Sequence, residues 1–198
     1  MHSKNVAILV FDNVEILDFA GPYESFATAG RIDNSSLFNV YTVSEKPGPI
    51  VARDRLSINP RYSFSDAPHT DILLVPGGPG TEKEIFNDTL LNWVKRTAQE
   101  AELLLSVCDG AIVLGKAGLL DNLSATTHHL DVERLKEVAP NTLIKETERI
   151  VDNGRVIVAA GVSAGIDLSL YVVSKLLSKE WAVKTARIME YDLNPEWI

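Results

Sequence analysis

Leu103-Leu104-Leu105-Ser106-Val107-Cys108-Asp109-Gly110-Ala111-Ile112-Val113-Leu114 is the stretch from which the rest of the chain can be read. The run Leu103 to Val107 has the apolar character of a strand buried on both faces of a parallel sheet. Gly110, Ala111, Gly115 and Ala117 supply the small side chains that a helix needs to begin close to that sheet. Cys108, the only cysteine, therefore falls on a sharp strand-to-helix turn, where an α/β protein presents a nucleophile in a strained backbone conformation. At a helix N-terminus the unpaired N–H groups and the dipole favour thiolate over thiol. Position alone fits an inert buried cysteine equally well, so the rest of the chain has to decide.

Outward from this turn the pattern is one of alternating strands and helices. Val6 to Phe11 reads as a first buried strand, and a helix is expected from near Gly21-Pro22 through Ala29. Leu37 to Val43 and Asp71 to Val75 read as further strands, the latter ending in Pro76-Gly77-Gly78-Pro79-Gly80. Glu82 to Glu100 gives one or two amphipathic helical pieces. Glu146 to Val151 and Arg155 to Ala160, joined by Asp152-Asn153-Gly154, have the chemistry of a β-hairpin. A helix follows Gly161-Val162-Ser163-Ala164-Gly165, with Ile166, Leu170, Val173 and Leu177 on one face, and a last one spans Lys179 to Tyr191. The expected fold is α/β: a three-layer sandwich with a mostly parallel, flavodoxin-like sheet, helices on both faces and strand C-termini along one edge. With no internal repeat or linker, residues 1–198 are expected to form a single domain.

Composition narrows the function. With 45% hydrophobic and 23% charged residues the chain has enough apolar material for a full core. A net charge of −8 with no Lys/Arg cluster argues against nucleic acid or an anionic membrane as partner and favours a small molecule. One cysteine cannot close an internal disulfide, and Met1-His2-Ser3-Lys4-Asn5 leads into a strand without a signal-peptide core, so a cytoplasmic location is expected. No apolar run reaches the roughly 18 residues of a membrane span. A Cys-rich zinc site is excluded, and His2, His69, His128 and His129 form no helix-spaced pair. No metal or organic cofactor is expected.

Three segments could converge at the sheet edge: Gly77-Gly78, Cys108-Asp109 and the acidic loop ending in Asp18. The backbone N–H groups of Gly78 and Asp109 are candidate oxyanion donors, although a Gly-Pro cluster is equally a simple tight turn. Asp18, set between apolar residues before the expected helix, is either an N-cap or a carboxyl of raised pKa able to pass a proton to or from the thiol. Glu24 is the competing acid. His128 could orient or deprotonate the thiol, with a structural histidine as the alternative.

Taken together, Leu17-Asp18-Phe19-Ala20-Gly21-Pro22, Val75-Pro76-Gly77-Gly78, Ser106-Val107-Cys108-Asp109-Gly110-Ala111, Ala117-Gly118-Leu119-Leu120-Asp121, Ala125-Thr126-Thr127-His128, Ala160 to Asp167 and Met189-Glu190-Tyr191-Asp192 resemble the ThiJ/PfpI superfamily, within the class I glutamine-amidotransferase-like fold. The resemblance spans nearly the whole chain. It is strongest to the isocyanide hydratase branch and to the sensor half of AraC-type regulators, in which the acid of the Leu-Asp segment accompanies the elbow cysteine. It implies a cysteine-dependent hydratase or hydrolase of small carbon–nitrogen compounds, most concretely converting an isocyanide to an N-formamide, with Cys108 as nucleophile and Asp18 as proton carrier. Two other readings stay open, a glyoxalase-like enzyme of reactive carbonyls and a non-catalytic redox or ligand sensor. Because the resemblance ends with the sensor-like region and leaves no stretch for a helix-turn-helix, a stand-alone enzyme is expected. A homodimer is implied as well. Two positions depart from the resembled branch: Asp109 stands where threonine is usual, and His129 where tryptophan is often found.

Overall fold

The computed structural model describes residues 3–198; Met1 and His2, placed by the sequence reading ahead of the first strand, lie outside the described residues. The chain opens with β1 (Lys4–Leu9), α1 (Ile16–Arg31) and β2 (Phe38–Ser44). Three short strands, β3 (Ile50–Val51), β4 (Ser57–Ile58) and β5 (Tyr62–Ser63), precede β6 (Ile72–Val75), α2 (Thr81–Glu84) and α3 (Asp88–Glu100). β7 (Leu103–Val107), α4 (Gly110–Lys116), β8 (Ser124–Ala125), α5 (Val132–Val138) and β9 (Leu143–Ile144) follow. A hairpin of β10 (Ile150–Asp152) and β11 (Val156–Ala159) leads into α6 (Ala164–Leu176) and α7 (Lys179–Ile188).

Seven strands form one sheet in the order β10-β11-β7-β6-β1-β2-β5, parallel throughout except for the antiparallel edge strand β10. Val6 to Leu9, Ile72 to Val75 and Leu105 are fully buried, as expected of strands covered on both faces. α1, α6 and α7 pack together on one face, and α2, α3, α4 and α5 cover the other. The expected three-layer α/β architecture is therefore present.

Two features of the sheet place the site. Val75 lies beside Ser106 in the ladder, so the chain leaves β6 and β7 at the same level, with Gly77-Gly78 next to Cys108. The strand order also reverses at β1, which has β2 on one side and β6 on the other. Such a switch point opens a crevice at the strand C-termini.

Several boundaries differ from the sequence reading. α1 begins at Ile16 rather than near Gly21, and Pro22 lies inside it. A proline is favoured in a first helical turn, but this helix tolerates Pro22 deeper, at the cost of one main-chain hydrogen bond. Asp18 is consequently not an N-cap; it sits in the first turn, behind the N-cap Glu15. The β3–β4 hairpin and β5, β8 and β9 are too short for a period to show in sequence, and α7 stops at Ile188 instead of Tyr191. α1 crosses α6 at small residues: a Cβ on Gly21 would lie 2.9 Å from Ile166 Cγ1, and one on Gly165 would lie 3.2 Å from Pro22 Cγ.

Candidate active site

Cys108 has φ of 59°, in the left-handed region that non-glycine residues seldom occupy. Its N–H is shared between the carbonyls of Ala159 (3.2 Å) and Ala160 (3.0 Å), and its own carbonyl accepts from Thr127 Oγ1 at 2.9 Å. The turn is held from three sides before the helix begins. Gly110 is required by this close approach, because a Cβ there would stand 2.2 Å from the Val75 carbonyl oxygen.

Cys108 is 6% exposed and lines a cavity of about 260 Å³ together with Gly78, Asp109 and His128. That is slightly below the size of a drug-binding pocket and suits a small molecule. A cavity of similar volume, about 280 Å³, opens beside Ser44, Glu45, Glu84 and Asn87, but it has no cysteine in its lining. Chemistry rather than size singles out the first.

Asp18 and Asp109 flank the sulfur. One ligand atom from each of Asp18, Cys108 and Asp109 lies within 4.8 Å of the other two, and all three residues are buried. Asp18 Oδ2 accepts from the Gly77 N–H at 2.9 Å, and the Cys108 side chain also hydrogen-bonds to the Asp18 carboxyl. Burial pushes the Asp18 carboxyl up to about 7; the Gly77 N–H opposes this, and the nearby Asp109 and Glu15 carboxylates add to it. Near neutral pH Asp18 thus exists in both protonation states, which a proton carrier requires.

The thiol is a correction to the sequence expectation. Cys108 stands at the N-terminus of α4, yet burial first, and then the charges of Asp18 and Asp109, push its pKa well above that of a free cysteine. The Asp109 backbone N–H bonds to the sulfur and works in the opposite direction, favouring the thiolate. Desolvation and two neighbouring carboxyls outweigh the donors at the helix end.

Gly78 is close to the site, but its N–H is engaged. It donates to Asp109 Oδ1 at 2.7 Å, while Asp109 Oδ2 lies 2.5 Å from Thr81 Oγ1. The Thr81 hydroxyl is also 2.9 Å from the Gly78 carbonyl. Its single proton serves the shorter, charged contact. Of the two expected oxyanion donors, only the Asp109 N–H is directed at the Cys108 sulfur. Gly78 has φ of 120°, and an added Cβ would meet the Glu15 nitrogen at 2.3 Å, so no other residue fits this turn.

Glu24 and His128 fare differently. Glu24 is not brought to the cavity; its carboxylate accepts from Thr28 Oγ1 (2.8 Å) and Arg31 Nη2 (2.7 Å) on an open helix face. The Thr28 hydroxyl, followed by Arg31, holds it below the usual carboxylate range. His128 lines the cavity, with Nδ1 accepting the Leu130 N–H at 3.3 Å and its ring against Gly161. It makes no hydrogen bond to Cys108.

Sequence reasoning missed the remaining wall. Arg53 on one side, paired with Glu15 at 2.6 Å, and Asp131 and Arg134 on the other line the mouth, together with Val162. Val162 has φ of 49°, unusual for a β-branched residue. None had a spacing linking it to Cys108; Thr81, three residues after Gly78, was the one with a local turn signal.

A model of the DJ-1/PfpI family matches residues 4–175. The chain belongs to the DJ-1/PfpI family. It is 30% identical to an isonitrile hydratase of Pseudomonas putida over 188 residues, covering 95% of this chain and 77% of that protein. It is 23% identical over 189 residues to the transcriptional regulator GbdR of Pseudomonas aeruginosa, covering 96% of this chain but 51% of the regulator. The chain thus spans about half the length of that regulator. A ThiJ/PfpI protein from Pseudomonas syringae superposes with a TM-score of 0.88 at 28% identity, covering 98% of this chain and 78% of the other. Drosophila melanogaster DJ-1beta shares the fold at a TM-score of 0.81 and 19% identity, covering 96% and 99%. Among the described residues no helix is long and apolar enough to cross a membrane.

Proposed function

We propose that this DJ-1/PfpI protein is a cysteine-dependent hydratase of small carbon–nitrogen compounds, and specifically that it hydrates an isocyanide to an N-formamide. The observation that carries the reading is the buried pair of the Cys108 sulfur and the Asp18 carboxyl, with Cys108 lining a small cavity. The 30% identity to an isonitrile hydratase points the same way.

The chemistry begins with the Asp18 carboxylate taking the Cys108 thiol proton as sulfur attacks the terminal isocyanide carbon, and Asp18 delivers that proton to the carbon. This leaves a thioimidate and an Asp18 carboxylate. Asp18 then takes a proton from the water that attacks the thioimidate carbon. Asp18 gives that proton to nitrogen; expulsion of the Cys108 thiolate then releases R–NH–CHO, and the hydroxyl proton passes through Asp18 to sulfur and restores the thiol. One water is consumed and no electrons are exchanged. A pKa near 7 suits both halves of the cycle. The Asp109 N–H stabilises the thiolate on which the first step depends.

The reading includes pairing of two chains. Leu130 is 78% exposed at the rim of the cavity, where a second chain would cover it. Light scattering at micromolar concentration is expected to show a dimer, and a monomer would count against pairing.

The deciding experiment is a substrate panel of isocyanides, 2-oxoaldehydes and small amides, run with wild type and Cys108→Ser. Formamide from an isocyanide, lost in Cys108→Ser, is the expected result. Lactate from methylglyoxal would replace the proposal with a glyoxalase-like activity. No turnover together with ready oxidation of Cys108 would replace it with a sensor.

A further inference from the structure

The cavity beside Glu45 and Glu84 shares no lining residue with the one at Cys108. α2 separates the two, with Thr81 bonded to Asp109 and Glu84 in the lining of the second. Val10, Phe11, Pro47, Pro49, Ile50 and Leu90 give this second cavity apolar walls. Its polar end is built on Asn87. Asn87 Oδ1 caps α3 by accepting from the Thr89 and Leu90 N–H groups, so Nδ2 turns the other way and donates to Glu45 Oε2 and Glu84 Oε2, at 2.7 Å each. Two carboxylates are thus gathered on one neutral amide. Glu84 is 6% exposed, and among the described residues its side chain has Asn87 as its one hydrogen-bond partner and no cation, which leaves Oε1 unpartnered. A buried carboxylate without a counter-charge is costly. Lys46 Nζ stands 3.6 Å from Glu45 Oε1, but on a side chain that is 84% exposed, where water screens the contact.

We propose that this second cavity binds a small primary ammonium carried on an apolar alkyl or aryl body. The ammonium supplies the counter-charge that Glu84 lacks. Its N–H groups donate to Glu84 Oε1 and to Glu45 Oε1, where they replace the exposed Lys46, while the apolar walls cover the carbon body. A quaternary ammonium carries the charge but has no N–H for either oxygen, so the site distinguishes the two. A hard metal ion fits poorly. Ca²⁺ takes about six to eight oxygens and Mg²⁺ a near-ideal octahedron, whereas here Asn87 already occupies one oxygen of each carboxylate and the facing walls are apolar.

The proposal does not depend on which reaction Cys108 performs. The test is titration of the full chain at pH 7 with benzylammonium, followed by two-dimensional amide NMR. Saturation at low millimolar concentration is expected, with the largest shifts at Glu45, Lys46, Gly48 and Asn87. Benzyl alcohol, close in shape but uncharged, and benzyltrimethylammonium, charged but without N–H, should each bind about tenfold more weakly or worse. Glu84→Gln should weaken benzylammonium by about tenfold or more, and Glu45→Gln, at a more exposed position, by about threefold. Circular dichroism reports the fold, and Glu45→Gln decides alone should Glu84→Gln misfold. Absence of saturation, shifts centred on Cys108 and His128 instead, equal affinity for benzyl alcohol or for benzyltrimethylammonium, or unchanged affinity in every folded variant would each overturn the proposal.

Discussion

The Asp109 carboxylate accepts the Gly78 N–H at 2.7 Å, tying the residue after Cys108 to the turn after β6. With the Thr81 hydroxyl on its other oxygen, Asp109 is a fixed negative charge beside the sulfur and a clamp between two loops. These two roles make opposite demands in any substitution. Removing the charge should free the thiol, while removing the clamp should loosen the turn.

Alkylation kinetics separate the two. Because burial and the Asp18 and Asp109 charges hold the Cys108 thiol up, the rate of reaction with iodoacetamide should keep rising with pH through 9, with no plateau near neutrality. Asp109→Thr removes one of those charges and should raise the rate at pH 7 by about tenfold for each pK unit recovered. An unchanged rate in a folded variant would mean that the Asp109 charge does not reach the sulfur.

Asp18→Asn should reduce turnover of an isocyanide by roughly 10²–10⁴-fold, the contribution of a general acid–base, while Cys108 remains open to alkylation. Steady-state formamide production is the measurement. Near-normal turnover would move the proton transfer to Asp109, since Glu24 is engaged by Thr28 and Arg31 outside the cavity.

Stability should carry the signature of Asp18 as well. Its folded pKa of about 7 lies above the ordinary 3.8, so between these values the native state holds more proton than the unfolded chain. The stability this group contributes is therefore full below pH 4 and is lost as pH rises toward and through 7, by a few kcal/mol at most. Urea titrations at pH 4, 5.5 and 7 should show a decline in wild type that is smaller in Asp18→Asn. Equal slopes would remove Asp18 as its source.

Glycine substitutions should be costly beside the elbow and mild in the β10–β11 turn. A Cβ on Gly77 would fall 2.0 Å from Asp109 Oδ1 and one on Gly110 would fall 2.2 Å from the Val75 carbonyl, so Gly77→Ala and Gly110→Ala should both unfold or displace the turn. Gly154, in the β10–β11 turn, has φ of 87° but nothing within 4 Å of a new Cβ. Gly154→Ala should therefore cost only about 1–2 kcal/mol, from backbone strain alone. Thermal melts of the three variants check the order.

The long elements were legible because their signals are long. Leu103 to Val107 followed by small residues places the elbow, and Asp152-Asn153-Gly154 places the hairpin whose second strand pairs with β7. The start of α1 was misread because Pro22 is a strong local signal overruled by packing, and with it Asp18 changed from a cap to a first-turn acid. At the site, residue types were readable but their pairings were not. That the Gly78 N–H belongs to Asp109, or that Thr81 completes the carboxylate's shell, depends on which rotamers two separate loops adopt once the sheet has brought them together. The same holds for the thiol, whose pKa is set by depth and by neighbours distant in the chain.

Asp18 rides on α1, and α1 is seated against α6 where Gly21 meets Ile166 and Pro22 meets Gly165. The gap between acid and sulfur is thus inherited from the contact of two helices rather than from any group that takes part in chemistry. A lineage of such proteins can retune its reactivity by trading a methyl group at this crossing, leaving every polar residue of the site untouched. Comparisons that align only the reactive residues would score such proteins as identical.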